Sequence, residues 1–329
     1  MKILFFSSDN YTRDFLNQAK GKSKYRFSFS DARLNADTAY LAQGYTIISC
    51  SIYDELNATT LKILSKLGVK LVALRSAGYN NVDIDTARRL KITIAYVPTY
   101  SPYSVAEHTV ALILALNRKT HKAYLRIREG NFSLRSLIGF DLHDTTVGII
   151  GTGRIGSAFA SIMRGFGCKL LGYDKQINQE CLALGVTYVP LPKLLSQVAI
   201  ISLHCPLLPQ THHIINSSSI KLMRSGVMLI NTSRGALVDT QAVIKGLKTG
   251  KIGYLGLDVY EAEHNLFSSD LSASIIEDDT FARLQTFPNV LITSHQGFLT
   301  KQAYTDIANI TMENIKSFIK TGQTTYQVS

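Results

Sequence analysis

The sequence predicts an α/β protein of two doubly wound parallel-sheet domains with a cleft between them. Three observations carry this. Short apolar runs alternate with helix-like stretches over the first hundred residues, the same alternation restarts near residue 145, and a long, largely apolar helical stretch separates the two series. At 329 residues the chain is too long for one ordinary core and long enough for two.

In the first series the strands read as "KILFF", "RFSFS", "YTIISC", "KLVALRS" and "ITIAYVP". Helices lie between them, among others "DIDTARRLK" and "TTLKILSKLG", which closes on Gly68 where a helix end favours glycine. Residues 101–130 predict a single long helix opened by Ser101 and Pro102 as cap and first residue. Val105, Thr109, Leu112, Ile113 and Leu116 share one stripe, and Ala111, Leu114 and Ala115 widen it. Such a helix is expected to be buried by more than one neighbour, as a domain connector or a dimer contact. The second series reads "TTVGIIG", "KLLGYD", "VAIISLHCP", "VMLINTS", "YLGLDVY" and, after a polar stretch over 261–287, "VLITSH". A closing helix over 300–322 follows the last strand and is expected to return to the first domain.

Composition excludes several classes. No apolar run approaches the roughly 20 residues of a bilayer span, and "MKILFFSSDN" breaks off too early for a signal peptide, so it reads as a first strand. The net charge of +11 comes from scattered basic residues without aromatic interleaving, which argues against nucleic-acid binding and suits an anionic substrate or cofactor. The four cysteines form no CxxC pair, as expected for reduced thiols in the cytoplasm. No histidine pair shows metal-ligand spacing with acids on one helical face, so no metal is expected, and His204, His212 and His213 read as core or loop histidines.

"TTVGIIGTGRIGSAFASIMRGFG" holds Gly151, Gly153 and Gly156 as G-x-G-x-x-G between a strand and a helix. Gly151 makes the tight turn, Gly153 admits a pyrophosphate to the helix N-terminus, and Gly156 lets helix and strand pack closely. The next strand ends in Asp174, whose carboxylate suits ribose hydroxyls and would repel a 2′-phosphate. The set therefore predicts NAD rather than NADP. Cys205 and Pro206 end a further strand as an apolar wall beside the adenine.

Three stretches stand at strand ends of the second series, where open α/β sheets place ligands: "INTSRGALVD" with Arg234, "LDVYEAEH" with Asp258 and Glu263, and "TSHQGF" with His295. Taken singly, Arg234 reads equally as a loop cation, Glu263 as a solvated acid and His295 as a packed strand-end histidine. Together they suit hydride transfer to a 2-keto acid. A guanidinium fork binds the carboxylate, and an imidazole is a competent acid near neutrality. A carboxylate on the other ring nitrogen fixes the ring.

"GTGRIG", "SLHCPL", "INTSRGALVD", "LDVYEAE" and "SHQGFLT", in this order, resemble the D-specific 2-hydroxyacid dehydrogenases. "RSAGYNNVD", "VPTYSPYSVAEH" and "GNFSLRSLIGF" are similar to their bacterial fermentative, D-lactate-forming branch. The resemblance implies a flavodoxin-like substrate-binding domain made of 1–100 and 298–329, with a Rossmann NAD domain over 101–297 inserted in it. It implies that Arg234 binds the substrate carboxylate, that Glu263 pairs with His295, and that His295 is the acid/base. It further implies that Ser76, Ala77 and Gly78 hold the carboxylate through backbone N–H groups, and that Tyr100 and Phe298 face the substrate. Arg154 and Ile155 fall at the pyrophosphate; Thr211, Thr232, Ser233 and Asp258 complete the cofactor set. Two departures stand out. Gly297 replaces a common Ala, which enlarges the pocket beside Phe298, and Thr211 replaces a common Asn, which alters a cofactor contact. The implied activity is reduction of pyruvate to D-lactate by a homodimer or homotetramer, with no nucleic-acid or membrane partner. The alternatives are a dehydrogenase for bulkier 2-keto acids, such as 2-ketoisocaproate or phenylpyruvate, and an NAD-sensing corepressor.

Overall fold

The computed structural model describes residues 1–267 and 270–328, so Ser268 and Ser269 of the polar stretch, and Ser329 at the expected domain end, lie outside the described residues. The chain divides into two compact units, Met1–Ser101 with Leu299–Ser329, and Pro102–Phe298.

The first unit is built on five parallel strands, β1 (Lys2–Phe5), β2 (Arg26–Phe29), β3 (Ile47–Cys50), β4 (Leu71–Leu74) and β5 (Thr93–Ala95), in the order β2-β1-β3-β4-β5. The residues of β3 and β4 are all buried, as a parallel strand covered on both faces requires. Helices α1 (Asn10–Lys20), α2 (Ala58–Lys66) and α3 (Ile84–Arg89) are each started by a side chain that accepts from a first-turn N–H, from Asp9, Asn57 and Asp83. Gly68 follows the end of α2 with φ +88, a conformation that costs glycine little. On one face Leu34, Ile48, Leu61 and Leu64 form a core. On the other, Ile3, Phe5 and Leu16 pack against Ala308, Met312 and Ile315 of the closing helix, called αC here (Lys301–Thr321). Buried Asn314 fastens that helix: its Nδ2 donates to Tyr96 O at 2.9 Å and its Oδ1 accepts from Tyr326 N at 2.9 Å.

The second unit begins differently from the single long helix expected over 101–130. The stretch 101–130 is two helices, α4 (Pro102–Arg118) and α5 (Thr120–Arg128), separated by Lys119 in the left-handed region with φ 52 and ψ 34. Asn117 turns its side chain onto the backbone of Phe140, donating to its O and accepting from its N. Neither Gly nor Pro marks the break, which falls within the polar run Asn117–Lys122. Val105, Thr109, Leu112, Ile113 and Leu116 are all buried, but Ala111 is exposed and α5 buries nothing.

The second sheet holds β6 (Thr146–Ile150), β7 (Lys169–Tyr173), β8 (Thr187–Tyr188), β9 (Ile200–Leu203), β10 (Val227–Asn231), β11 (Ile252–Leu257) and β12 (Val290–Ile292). All run parallel, in the order β12-β11-β10-β9-β6-β7-β8. The order reverses direction between β6 and β9, which is where a doubly wound sheet opens a crevice for a ligand. The two-residue strand β8 is too short to show in an apolar pattern. Among the described residues no helix is long and apolar enough to cross a membrane.

Candidate active site

At the end of β6 the backbone decides the geometry. Gly151 has φ +95, and a Cβ there would lie 2.4 Å from Cys205 N, in the chain leaving β9. A Cβ on Gly156 would lie 2.1 Å from Gly151 O, so only glycine lets α6 (Arg154–Gly165) sit this close to the turn. Around Gly153 there is open space, and no side chain caps the first turn of α6. That N-terminus has N–H groups and dipole available for an anion. Asp174 stands just past β7, and its Oδ2 accepts from Thr152 N at 2.6 Å, which fixes the carboxylate beside the glycine turn. Cradle, free helix end and acid fit a dinucleotide. Arg154 is exposed, while Ile155 packs on the core.

Cys205 is buried, and burial pushes its thiol up to about 11, so it stays neutral. Pro206 is exposed. Thr211 has its hydroxyl committed to its own loop, donating to Pro206 O at 2.6 Å and accepting from Leu208 N at 2.8 Å. Ser233 is likewise committed: its Oγ donates to Cys205 O at 2.8 Å and ties the ends of β9 and β10 together. Thr232 is buried with its Oγ1 2.8 Å from that of Thr109.

The other strand ends carry charge. His295 Nδ1 lies 2.7 Å from Glu263 Oε1, and Glu263 Oε2 accepts from Tyr260 N at 2.9 Å. The carboxylate therefore holds the ring and is itself held. His295 sits in the left-handed region at φ 52, an uncommon place for a residue with a side chain. What keeps it there is Asp258. The His295 N–H donates to Asp258 O at 2.7 Å. The Asp258 carboxylate takes Thr293 Oγ1 at 2.6 Å, Gln296 N at 2.9 Å and Gly297 N at 2.8 Å, with His108 Nε2 at 3.2 Å. Burial raises the Asp258 carboxyl, but the hydrogen bonds from His108, Thr293 and Gln296 outweigh it and hold the group below its ordinary value.

Gly297 belongs to this clamp. A methyl there would stand 3.0 Å from Asp258 Oδ2 and 3.5 Å from His108 Cδ2. Its neighbours are thus the clamp residues, where the sequence suggested an enlarged pocket beside Phe298. Phe298 itself is half-buried.

Arg234 follows β10. One guanidinium nitrogen donates to Ser233 O at 2.7 Å, and no carboxylate among the described residues pairs with it. Its turn is fixed by fully buried Asn231, which donates to Arg234 O at 2.8 Å and accepts from Ser233 N at 3.0 Å. The next residue, Gly235, packs so closely that a Cβ would lie 2.2 Å from Tyr260 C. The turn bearing Arg234 therefore rests on the segment whose Tyr260 N–H holds Glu263. Asn231, His108 and Thr293 were not singled out from sequence; each lies inside a quoted motif, but only the fold shows what its polar atoms do.

In the first unit, Ser76 Oγ donates to Gly78 O at 2.7 Å, which curls the turn after β4. The backbone N–H groups of Ser76, Ala77 and Gly78 meet no acceptor among the described residues. Tyr100 is half-buried.

Residues 110–297 match the family described as D-isomer specific 2-hydroxyacid dehydrogenase, NAD binding domain. The chain is 45% identical over 320 residues to the D-lactate dehydrogenase of Escherichia coli, covering 97% of each. A structure concerned with the pyruvate reductase of Chlamydomonas reinhardtii superposes with a TM-score of 0.93 at 43% identity, over 97% of this chain and 96% of that one. The D-lactate dehydrogenase of Aquifex aeolicus, solved with NAD and lactic acid, gives 0.86 at 33% identity, over 99% and 100%. The chain belongs to the D-isomer specific 2-hydroxyacid dehydrogenase family. It is an oxidoreductase, and its cofactor is NAD.

Proposed function

We propose that the chain reduces pyruvate to D-lactate, with His295 as the proton donor. The observation that carries this is the Glu263–His295 pair at 2.7 Å, beside a strand end whose Arg234 pairs with no carboxylate among the described residues. The names of the relatives support the choice of substrate.

Arg234 offers a planar fork to the carboxylate of a 2-keto acid. The N–H groups of Ser76, Ala77 and Gly78, which meet no acceptor among the described residues, suit an anion. Tyr100 and Phe298 give a small apolar side of the substrate its surroundings. Glu263 on Nδ1 holds the ring's orientation, and in this reading Nε2 is the nitrogen that serves the carbonyl oxygen. The dinucleotide, when bound in reduced form, would supply the hydride that the keto carbon needs. His295 gives its proton to the carbonyl oxygen as the C–O bond becomes an alcohol, and in oxidation the neutral ring takes it back. Gly151, Gly153 and Gly156 with the α6 N-terminus would hold the pyrophosphate, and Asp174 would hold the ribose hydroxyls.

The same reading places the enzyme in the cytoplasm, in keeping with its four free cysteines. It also makes it a homodimer or homotetramer. Leu125, Ile127, Phe132, Leu134 and Ile138 are exposed on and after α5, and so many exposed large apolar side chains in one short stretch suit a partner. Light scattering of the parent and of Leu134→Glu tests that.

The deciding assay is NADH consumption with pyruvate, 2-ketoisocaproate and phenylpyruvate, followed by chiral analysis of the product. Pyruvate is expected to give the highest kcat/KM and D-lactate the only enantiomer. A clear preference for a bulkier acid overturns the substrate. Bound NADH with no turnover of any of the three points to an NAD sensor instead.

A further inference from the structure

Residues His212 and His213 lie in the loop after β9, and Glu261 lies after β11, 48 residues further on. The fold brings one ligand atom from each within 4.8 Å of the others. His213 Nε2 is 2.8 Å from Glu261 Oε1, and the two imidazole rings stack with centroids 3.9 Å apart. Successive residues usually point their side chains apart. Here His213 has φ 49, which swings its ring alongside that of His212.

The surrounding backbone holds this arrangement from both sides. The His212 N–H donates to Leu208 O at 2.8 Å, and the His213 N–H to Ala236 O at 2.9 Å. Asn216 Nδ2 donates to His213 O at 2.9 Å. On the acid's side, a Cβ on Gly235 would lie 2.4 Å from Glu261 N, so the same short turn, Gly235–Ala236, braces Glu261 and His213 together. A helix-spacing test for metal ligands misses this group because none of its members lies on a helix.

We propose that His212, His213 and Glu261 form a binding site for a divalent transition-metal ion, with zinc the best fit. Two imidazoles and one carboxylate are donors that zinc takes readily, and a fourth, open position would be filled by water. Two imidazoles with a single carboxylate poorly suit calcium or magnesium, which take mainly oxygen ligands. Bond lengths of about 2.1 Å put tetrahedral ligand atoms roughly 3.4 Å apart. Rotation of partly exposed side chains closes the cluster to that spacing. Metal competes with protons for the imidazoles, so binding weakens as the pH falls. None of these residues is used in the proposed reaction, and the site stands or falls separately from it.

The test is calorimetric titration of the NADH-loaded full-length protein with Zn²⁺ after chelator treatment and its removal. Substitution with Co²⁺ gives an independent readout, the visible absorption of a tetrahedral site. One ion per chain is expected, with His212→Ala and Glu261→Gln each weakening binding at least tenfold and abolishing the Co²⁺ spectrum. No binding by the parent overturns the proposal. So does binding that survives both changes and is lost in His295→Gln, because the ion would then be held by the His295–Glu263 pair. NADH binding retained by each variant shows that the loss is local.

Discussion

His204 and His295 stand after strands of one parallel sheet, and the difference between them shows what a strand-end histidine needs in order to move protons. His204 directly follows β9. Its Nε2 meets the hydroxyl of Ser202 at 2.9 Å, its ring lies 4.9 Å from that of Phe159, and burial drives its pKa down to about 3. It is a neutral packing residue. His295 follows β12 and has a carboxylate at 2.7 Å on Nδ1, a strained backbone, and a second carboxylate clamping the chain around it. Position at the strand end is common to both. The acid on the far ring nitrogen belongs to one.

The sharpest way to break this comparison is to remove each ring. His295→Gln is expected to lower kcat by about 10² to 10⁴-fold, the usual contribution of a positioned acid, while the Kd for NADH stays within a few-fold. Stopped-flow turnover and fluorescence titration check the two halves. A variant that keeps most of its turnover removes the proton-donor role. Next in size is Glu263→Gln, which retains a hydrogen-bonding group beside Nδ1 but not the charge. A loss of roughly ten- to a hundredfold in kcat is expected, with the Kd for NADH within a few-fold. An unchanged kcat would mean that Glu263 only packs.

A third test separates the clamp from the chemistry. Asp258→Asn places an amide where the carboxylate accepts from Thr293, Gln296 and Gly297, so at least one buried N–H loses its acceptor. The cost is about 1–3 kcal/mol of stability, read as a melting temperature several degrees lower. A full-strength melt with normal activity would show that His295 holds its left-handed backbone without the clamp.

Much of this was legible in sequence, for a reason that divides the site in two. The glycine turn is specified by backbone: Gly151 and Gly156 are the residues that the close contacts with Cys205 N and Gly151 O allow, and such constraints are local enough to read from spacing. Arg234, Glu263 and His295 were readable as residue types at strand ends. That Glu263 bonds His295 and not a lysine or solvent depends on β11 and β12 pairing in register, Leu255 with Val290 and Leu257 with Ile292. The supporting atoms were not readable. Asn231, His108 and Thr293 act through distances set by tertiary packing, and the break at Lys119 has no glycine or proline to announce it. The cluster of His212, His213 and Glu261 escaped for the same reason, since its members come from two loops.

The smallest expected effect lies in His204, and its pH dependence has a definite sign. Burial lowers the folded-state value to about 3, against about 6.5 for an imidazole in the unfolded chain. Between these values the unfolded chain binds the extra proton and the folded chain does not, so stability rises with pH across that window. The contribution is fully present above about 6.5 and drains away as the pH falls toward about 3. His204→Gln retains a donor and an acceptor for Ser202 but cannot titrate. Its stability in urea is therefore expected to fall less steeply than the parent's between about pH 6 and 4, while kcat stays within a few-fold at neutral pH. Because the carboxylates titrate equally in both proteins, the difference between the two curves isolates the histidine. Parallel curves would mean that His204 takes up its proton in the folded state, and the contrast with His295 would then rest on geometry alone.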